Sequence, residues 1–266
     1  MNDFSIEETL DEIAVVSKRV SKLSKELVST SRSLEQAAAK GDLNKLKSAA
    51  ERLANLRNQI DAETESLTKS WLMNDAAVDS ALETKLMDEV SGLLKRQGIS
   101  VHRYGSGWSA SLLMLRVESK SRSVKLDRSR LPTVRPSLIA AAVTDPRHRP
   151  STRPEQFVET LYLAYRFAVG SNSLSNQPMR IGSSVPLSEV YKALTLHPET
   201  RREYSIESFT RDLYVLDQSG LSNTKDGMRM FFSASTSSKG GGGVLTVLDD
   251  NGAPHNYFAV AFREVE

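Results

Sequence analysis

The stretch from residue 3 to residue 39, DFSIEETLDEIAVVSKRVSKLSKELVSTSRSLEQAAA, decides the fold of the N-terminal part of this chain. Its apolar residues recur every three or four positions, which is typical of a helix that buries one narrow stripe. The pattern resumes after Gly41 and predicts a second helix over residues 43–72, with Gly41 ending the first helix and Asp42 capping the second. So short a connection folds two helices into an antiparallel hairpin.

The hairpin is expected either to close on itself or to assemble copies of the chain. In the first interpretation the two helices cover each other within one monomer. In the second, which we favour, the hairpin also pairs between chains, because two helices leave flanking residues such as Val15 and Val28 uncovered. The predicted oligomer interface consists of Ile6, Leu10, Ile13, Val20, Leu23 and Leu27.

The amino-acid composition limits the class of protein to which the chain can belong. The 266 residues are 39% apolar and 26% charged, as in an ordinary protein with a packed core. The absence of cysteine excludes disulfides and cysteine-ligated zinc and fits a reducing compartment. No apolar run is long enough to cross a bilayer, and the acidic N-terminus is not a signal peptide. A cytoplasmic location with no membrane partner is therefore expected.

Charge is distributed unevenly along the chain. Residues 95–154 hold 13 Lys and Arg against 3 Asp and Glu, whereas residues 1–94 hold 12 against 17 and residues 155–266 hold 10 against 13. A basic centre between two acidic arms follows, and such a centre favours an acidic ligand.

The basic centre is the best nucleic-acid candidate in the sequence. Strands are predicted at Ile99–Tyr104, Ser109–Glu118 and Ser123–Asp127, with a turn at Ser119–Arg122. Cationic side chains on this hairpin would bind DNA or RNA phosphates without sequence preference, and Tyr104 and Trp108 could stack on bases. The alternatives are a solvated sheet face or an acidic protein partner. The predicted binding residues are Arg103, Arg116, Lys120, Arg122, Lys125, Arg128 and Arg130.

The remaining segments complete the predicted element order. Helices are expected at 76–97 and at Ser137–Val143, followed by a proline-rich connector, Asp145–Pro154, that marks a domain boundary. Three further helices follow at 155–168, after Pro186 and after Ser205. Three strands close the chain: Met228–Ser235, Val244–Leu248 and Tyr257–Val265. A glycine turn, Gly240–Gly243, separates the first two, and Asn251-Gly252 is a hairpin signal between the last two.

This order of three helices and a β-meander, over residues 155–266, resembles a winged-helix domain. In DNA-binding winged helices the third helix enters the major groove and the wing touches the backbone. The resemblance places that helix at Ser205–Ser219 and the wing at about Met228–Leu248. The helix is expected to expose Glu207, Asp212 and Asp217 against a lone Arg211, which would repel phosphates. Winged helices also serve as protein-interaction modules, as in accessory subunits of chromosome-organising ATPase complexes, and the acidic helix fits that use better.

The sequence motifs that could indicate catalysis are weak. Glu118-Ser119-Lys120 resembles the Glu-x-Lys half of the metal-dependent nuclease fold of restriction enzymes, but no acidic residue lies between Glu89 and Glu118 to complete a cation site. Gly240–Gly243 lacks the Lys-Ser/Thr of a phosphate loop, and the four histidines have no metal-ligand spacing.

The sequence therefore predicts an α+β, mainly helical chain with three parts: a coiled-coil hairpin (1–74), a basic α/β middle domain (75–150) and a winged-helix-like domain (155–266). The expected function is that of a non-catalytic, oligomeric adaptor that contacts nucleic acid or an acidic partner and needs no cofactor or metal. Two alternatives stand beside it: a divalent-metal nuclease that uses Glu118 and Lys120, and a sequence-specific regulator that reads DNA with Ser205–Ser219.

Overall fold

The computed structural model describes residues 4–148, 153–172, 180–233 and 243–264 of an α+β, mainly helical chain. Within these residues the α-helices are α1 (Ile6–Lys40), α2 (Leu43–Thr68), α3 (Asp75–Thr84), α4 (Leu86–Arg96), α5 (Pro136–Val143), α6 (Pro154–Asn172), α7 (Leu187–Leu194), α8 (Pro198–Glu203) and α9 (Ile206–Gln218). The strands are β1 (Val101–Tyr104), β2 (Gly107–Ala110), β3 (Leu113–Glu118), β4 (Ser123–Leu126), β5 (Ser129–Leu131), β6 (Val185–Pro186), β7 (Met228–Ser233), β8 (Leu245–Leu248), β9 (Pro254–Tyr257) and β10 (Ala259–Glu264).

The chain divides into two compact units, and each unit is assembled from segments that are far apart in the sequence. Unit 1 consists of Met1–Leu93, Val117–Ser123 and Pro132–Ile139, and unit 2 consists of Leu94–Arg116, Val124–Leu131 and Ala140–Glu266. The predicted boundary in the connector after Asp145 stays a prediction, because residues 149–152 lie outside the described part of the chain.

The helical hairpin of unit 1 has the connection at Gly41 and Asp42 that its sequence predicts. The Ser5 side chain caps α1 by accepting a hydrogen bond from the Glu8 N–H. Gly41, with φ 67°, ends α1, and the Asp42 carboxylate accepts the Lys45 N–H at the start of α2. α1 and α2 then pack along each other. The second helix ends at Thr68, a few residues earlier than predicted, and a 3-10 turn at Trp71–Met73 follows.

The single helix predicted over residues 76–97 is wrong, because the chain breaks at Lys85 into α3 and α4. The Lys85 ammonium donates to the Phe4 carbonyl oxygen at 3.0 Å and lies 3.9 Å from the centroid of the Phe4 ring. On either side of this break, Leu82 of α3 and Leu86 of α4 are fully buried in the core of unit 1.

The basic centre forms an antiparallel five-stranded sheet in the order β1-β2-β3-β4-β5. The single strand predicted at Ser109–Glu118 is wrong, because the chain reverses at Ser111 and Leu112, with φ of 51° and 65°. Two consecutive left-handed residues form the type of tight turn that matches the twist of a hairpin. The Asn-Gly pair that usually marks such a turn is missing here, so the turn was not predicted from the sequence. The short strand β5 was not predicted either.

The core of unit 2 is built by α6, α7 and α9 against a three-stranded sheet in the order β6-β10-β7. Phe209, Leu213 and Tyr165 are fully buried, and the Tyr165 ring lies 5.1 Å from that of Phe262. The Ser205 hydroxyl caps α9 by accepting the Ser208 N–H at 3.2 Å, as predicted. The short helix α8 was not predicted.

The strands after α9 pair differently from the predicted meander. The predicted strand Tyr257–Val265 divides into β9 and β10, and the Phe258 carbonyl between them accepts the Leu187 N–H at 2.9 Å. β10 pairs with β7, whereas β8 pairs with β9 in a separate hairpin. The partner of Met228–Ser233 is thus Ala259–Glu264 rather than Val244–Leu248. Residues 240–242 of the predicted glycine turn lie outside the described residues.

Candidate nucleic-acid interface

One face of the five-stranded sheet carries a row of cationic and aromatic side chains. His102 lies opposite Ser109, and Ser109 lies opposite Met114. Side chains two residues apart on a strand share a face, so Tyr104 on β1 and Arg116 on β3 share the face of these three residues. Both side chains are exposed, Tyr104 by 43%.

The same face continues onto β4 and β5. The Asp127 N–H donates to the Met114 carbonyl oxygen at 2.8 Å, which sets the register between β3 and β4. In this antiparallel register, a step of two residues along each strand places Lys125 opposite Arg116. Lys125 in turn lies opposite Arg130. We call Tyr104, Arg116, Lys125 and Arg130 the basic row. At about 4.8 Å between strands it spans roughly 19 Å across the sheet.

Over β3 and β4, the opposite face of the sheet is apolar. Leu115, Val124 and Leu126 are fully buried there, whereas on the face of the basic row Arg116 and Arg130 are exposed and Lys125 is half-buried. Arg103 lies opposite Trp108, and Trp108 lies opposite Leu115. Arg103 and Trp108 therefore belong to this second face, so the structure separates them from Tyr104 and the basic row.

Carboxylates neutralise two of the other predicted cations. The Arg128 guanidinium donates to Glu207 at 2.8 Å within unit 2. Arg122 forms an ion pair with Asp75 within unit 1. Lys120 lies exposed in the 3-10 turn that follows β3, also in unit 1. Of the seven predicted binding residues, strand register brings together Arg116, Lys125 and Arg130.

The surface of α9 differs from the surface that the sequence predicts. Arg211 is only 4% exposed, because its guanidinium donates to the Asp127 carboxylate and to the Ser208 hydroxyl. A cleft of about 180 Å³ beside this ion pair is lined by residues of α9, β8 and the β2–β3 turn. The prediction that Arg211 is exposed was wrong.

The acidic residues of α9 are also largely engaged. Asp212 is 3% exposed and accepts a hydrogen bond from the Tyr204 hydroxyl at 2.7 Å. Burial of that phenol, together with the nearby Asp212 charge, raises the pKa of Tyr204 far above its ordinary value. Asp217 accepts the Tyr257 hydroxyl at 2.9 Å. The prediction that Asp212 is exposed was therefore wrong, since its carboxylate serves packing inside unit 2.

A second cationic and aromatic cluster, on β7 and β10, was not predicted from the sequence. Arg229 on β7 lies opposite Arg263 on β10, and each guanidinium lies 5.6 Å from the centroid of the Phe231 ring. Phe231 is 41% exposed. The alternation of Met228, Arg229, Met230 and Phe231 was the signal that could have revealed this outward face.

The residues of the nuclease hypothesis lie at the end of β3. The Ser121 hydroxyl donates to the Glu118 carboxylate at 3.2 Å. Within the described part of the chain, no three His, Asp or Glu side chains gather where they could hold a metal ion. Catalysis by Glu118 and Lys120 stays an untested hypothesis.

The predicted oligomer interface lies on the inner stripe of α1. Ile6 is fully buried within unit 1, and the other five residues are half-buried. Leu23 lines a groove together with Gln59 and Ala62 of α2. Val15 and Val28 are exposed by 47% and 49%, as the sequence predicted.

Comparison with known proteins assigns no family, since no family model, curated protein or solved structure matches the chain. Among the described helices, none is both long enough and apolar enough to span a bilayer.

Proposed function

We propose that this chain is a non-catalytic accessory protein that binds nucleic acid without sequence preference through the basic row. The observation that carries the proposal is the placement of Arg116, Lys125 and Arg130 in one line across the sheet, with exposed Tyr104 on the same face. Cations in a line can follow a phosphate backbone, and an aromatic ring beside them can stack on an unpaired base. A sheet face with these groups suits a single strand.

The C-terminal part is proposed to be a winged-helix domain that contacts protein. In support, this part of the chain combines three helices, α6, α7 and α9, with a three-stranded sheet in which β10 lies between β6 and β7. The buried Arg211 argues against base reading by α9, because a guanidinium bound to Asp127 is not available for a base edge. Exposed Leu163 and Phe167, one turn apart on α6, are apolar residues that a partner subunit could cover.

Binding to labelled single-stranded DNA, single-stranded RNA and duplex DNA, measured by fluorescence anisotropy at several salt concentrations, tests the proposal. The wild-type chain should bind at low salt and lose affinity as salt rises. The variant Arg116→Glu/Lys125→Glu/Arg130→Glu should bind much more weakly. For single strands, the slope of the logarithm of its binding constant against the logarithm of the salt concentration should become less steep by about 2, because each of the three lost phosphate contacts contributes about 0.7.

Arg103→Glu is the matched control, since it reverses one charge of the same sheet on the opposite face. It should bind nearly as well as the wild type. Binding that is absent at low salt, or that Arg103→Glu weakens as strongly as each single reversal within the basic row, would contradict the proposal.

A further inference from the structure

Two arginines lie directly opposite each other on the outer face of the sheet formed by β6, β10 and β7. Arg229 on β7 pairs with Arg263 on β10, and residues paired in this way share one face of an antiparallel sheet. Met230 and Phe262, one position away along each strand, are buried on the other face. The Cα atoms of such a pair are about 4.5–5.5 Å apart, so both guanidinium groups can reach the same anion.

Neither of these two guanidinium groups has an acidic partner. In the part of the chain that the structure describes, no Asp or Glu side chain pairs with Arg229 or Arg263. By contrast, Arg211 of the same unit is buried and bound to Asp127. Like charges that lie directly opposite each other on neighbouring strands destabilise a sheet. A bound anion would therefore remove an unfavourable interaction that the free chain contains.

The Phe231 ring holds the two guanidinium groups beside each other. Phe231 follows Arg229 by two residues on β7, so the two side chains share a face. Each guanidinium carbon lies 5.6 Å from the centroid of this ring, which is within cation–π distance. Contact with one planar ring restricts both long side chains before any ligand arrives. Less side-chain entropy is then lost when the two groups bind an anion together.

An exposed apolar surface adjoins the arginine pair. Asn223 lies opposite Arg229 on the other side of β7, and the backbone hydrogen bond of the next pair of residues, 2.7 Å long, continues that register. A step of two residues along each segment therefore places Leu221 opposite Phe231. Phe231 is 41% exposed and Leu221 is 37% exposed, although both residue types are usually buried. The surface thus suits a ligand that has an anionic group next to an apolar part.

A phosphomonoester is the anion that matches two guanidinium groups best. It carries a charge of about −1.5 to −2 at pH 7, whereas each phosphodiester within a nucleic-acid strand carries a single charge. A guanidinium group donates two parallel hydrogen bonds to phosphate oxygens, so two such groups can bind one phosphate from two sides. A nucleotide also supplies a base that can lie against exposed aromatic and apolar side chains.

We propose that Arg229 and Arg263 bind the terminal phosphate of a nucleic-acid strand, while Phe231 and Leu221 contact its terminal base. We call these four residues the phosphate site. The basic row then binds the phosphodiesters within the strand, and the phosphate site binds its end. This inference deepens the proposed function and rests on it, because only a protein that binds strands meets their ends.

Single strands that differ only in a terminal phosphate give the direct test. Strands of one sequence, with an internal fluorescent label, carry either a phosphate or a hydroxyl at the 5′ end, and a second set varies the 3′ end in the same way. By anisotropy, the wild-type chain should prefer the phosphate about tenfold at one of the two ends, because charge-assisted hydrogen bonds are the strong ones. Arg229→Gln/Arg263→Gln should bind both members of that set equally.

Arg166→Gln/Arg202→Gln is the matched control. It removes the same charge from two exposed positions of unit 2 that lie outside the phosphate site. The Arg166 guanidinium lies 5.7 Å from the centroid of the Tyr162 ring, so the control also removes one cation–π contact. This variant should keep the preference for a terminal phosphate. Loss of the preference in both variants would show that net charge produces it, which would overturn the inference.

Small probes test the phosphate site without the basic row. Adenosine 5′-monophosphate carries a phosphomonoester, whereas adenosine 3′,5′-cyclic monophosphate has the same base and a singly charged diester. In a titration followed by amide nuclear magnetic resonance, the monoester should shift signals of β7 and β10 and should bind about tenfold more tightly than the cyclic diester. Equal affinities for the two probes would contradict the match between two arginines and a doubly charged phosphate.

The two sets of measurements separate failure of this inference from failure of the proposed function. Strands that bind without any preference for a terminal phosphate, together with a monoester that leaves β7 and β10 unchanged, would overturn the inference and leave binding by the basic row intact. A monoester that binds at β7 and β10 of a chain that binds no strand would overturn both the proposed function and the assignment of the phosphate site to a strand end.

Discussion

The guanidinium of Arg211 donates to the carboxylate of Asp127 at 2.5 Å, and the two side chains are only 5% and 11% exposed. Asp127 also accepts the Met114 N–H at 3.0 Å, so a single carboxylate joins β3 to α9 within unit 2. The pair removes the only arginine of α9 from the surface of that helix.

Removing Asp127 should destabilise unit 2 strongly, because it leaves the buried Arg211 charge without its partner. We expect Asp127→Ala to lower the free energy of unfolding by about 3–5 kcal/mol. Arg128→Ala is the control, since it removes the more exposed pair with Glu207 and should cost about 0–1 kcal/mol. Urea unfolding followed by circular dichroism measures both values, and equal losses would show that burial of the first pair has no special effect.

Tyr104 should contribute to the binding of single strands through its ring. Tyr104→Ala should weaken single-stranded DNA binding by about 1–3 kcal/mol, the usual contribution of one stacked base. Tyr104→Phe should retain that contribution, because the ring remains and only the hydroxyl is lost. Fluorescence titrations compare the variants, and a Phe variant as weak as the Ala variant would rule out stacking.

Acid should destabilise unit 1 through Glu7. Burial by itself would raise the pKa of the Glu7 carboxyl, but hydrogen bonds from the Ser137 N–H at 2.8 Å and from Arg135 at 2.8 Å outweigh it and hold the pKa below its ordinary value of 4.5. The stabilisation is therefore fully present above about pH 4.5 and is lost as the pH falls through the lowered pKa.

Unfolding between pH 3 and pH 7 measures this dependence. Glu7→Gln should be less stable than the wild type at pH 7 and should lose less stability on acidification. A Gln variant with the same pH dependence as the wild type would assign the acid sensitivity to other carboxyls.

Glu89 should hold the first turn of α1. Its carboxylate accepts the Ile6 N–H at 2.6 Å, the Glu7 N–H at 3.1 Å and the Ser5 hydroxyl at 2.9 Å. Because these amides belong to the unpaired donors of a helix start, Glu89→Ala should cost about 0.5–2 kcal/mol. Amide hydrogen exchange should accelerate in the first turn of α1 only, whereas Asp88→Ala on the exposed side of α4 should change nothing there.

Gly252 should tolerate no side chain. It has φ of 80°, and a Cβ atom there would lie 2.7 Å from Cγ of the His102 ring. Gly220 has φ of 71° with open space around it, so Gly220→Ala measures the backbone strain alone. Gly252→Ala should lower the melting temperature clearly more than Gly220→Ala. Equal shifts would mean that the His102 ring moves aside without cost.

Local signals predicted much of the fold. The apolar repeat and the Gly41-Asp42 pair placed α1 and α2, and Ser205 placed the start of α9, because helix periodicity and end-capping depend on residues only a few positions apart. Local signals failed where residues adopt backbone conformations that are unusual for their type. Ser111 and Leu112 adopt left-handed conformations without glycine or asparagine, and no local pattern marks the break at Lys85.

The candidate site depended on tertiary structure even more. The sequence supplied seven basic residues, but strand register placed Arg103 on the opposite face from Arg116. A one-residue difference in position exchanges the two faces of a sheet, so an error in one turn changes the composition of a whole surface.

By itself, the sequence determined the helical hairpin, the basic centre and the α+β class, since each follows from composition or from spacing along one element. Only the tertiary structure decided which cations form the basic row, which arginine is buried and which strand pairs with β7. Those outcomes depend on contacts between residues far apart in the chain, such as the 84 positions between Asp127 and Arg211, and no local pattern encodes them.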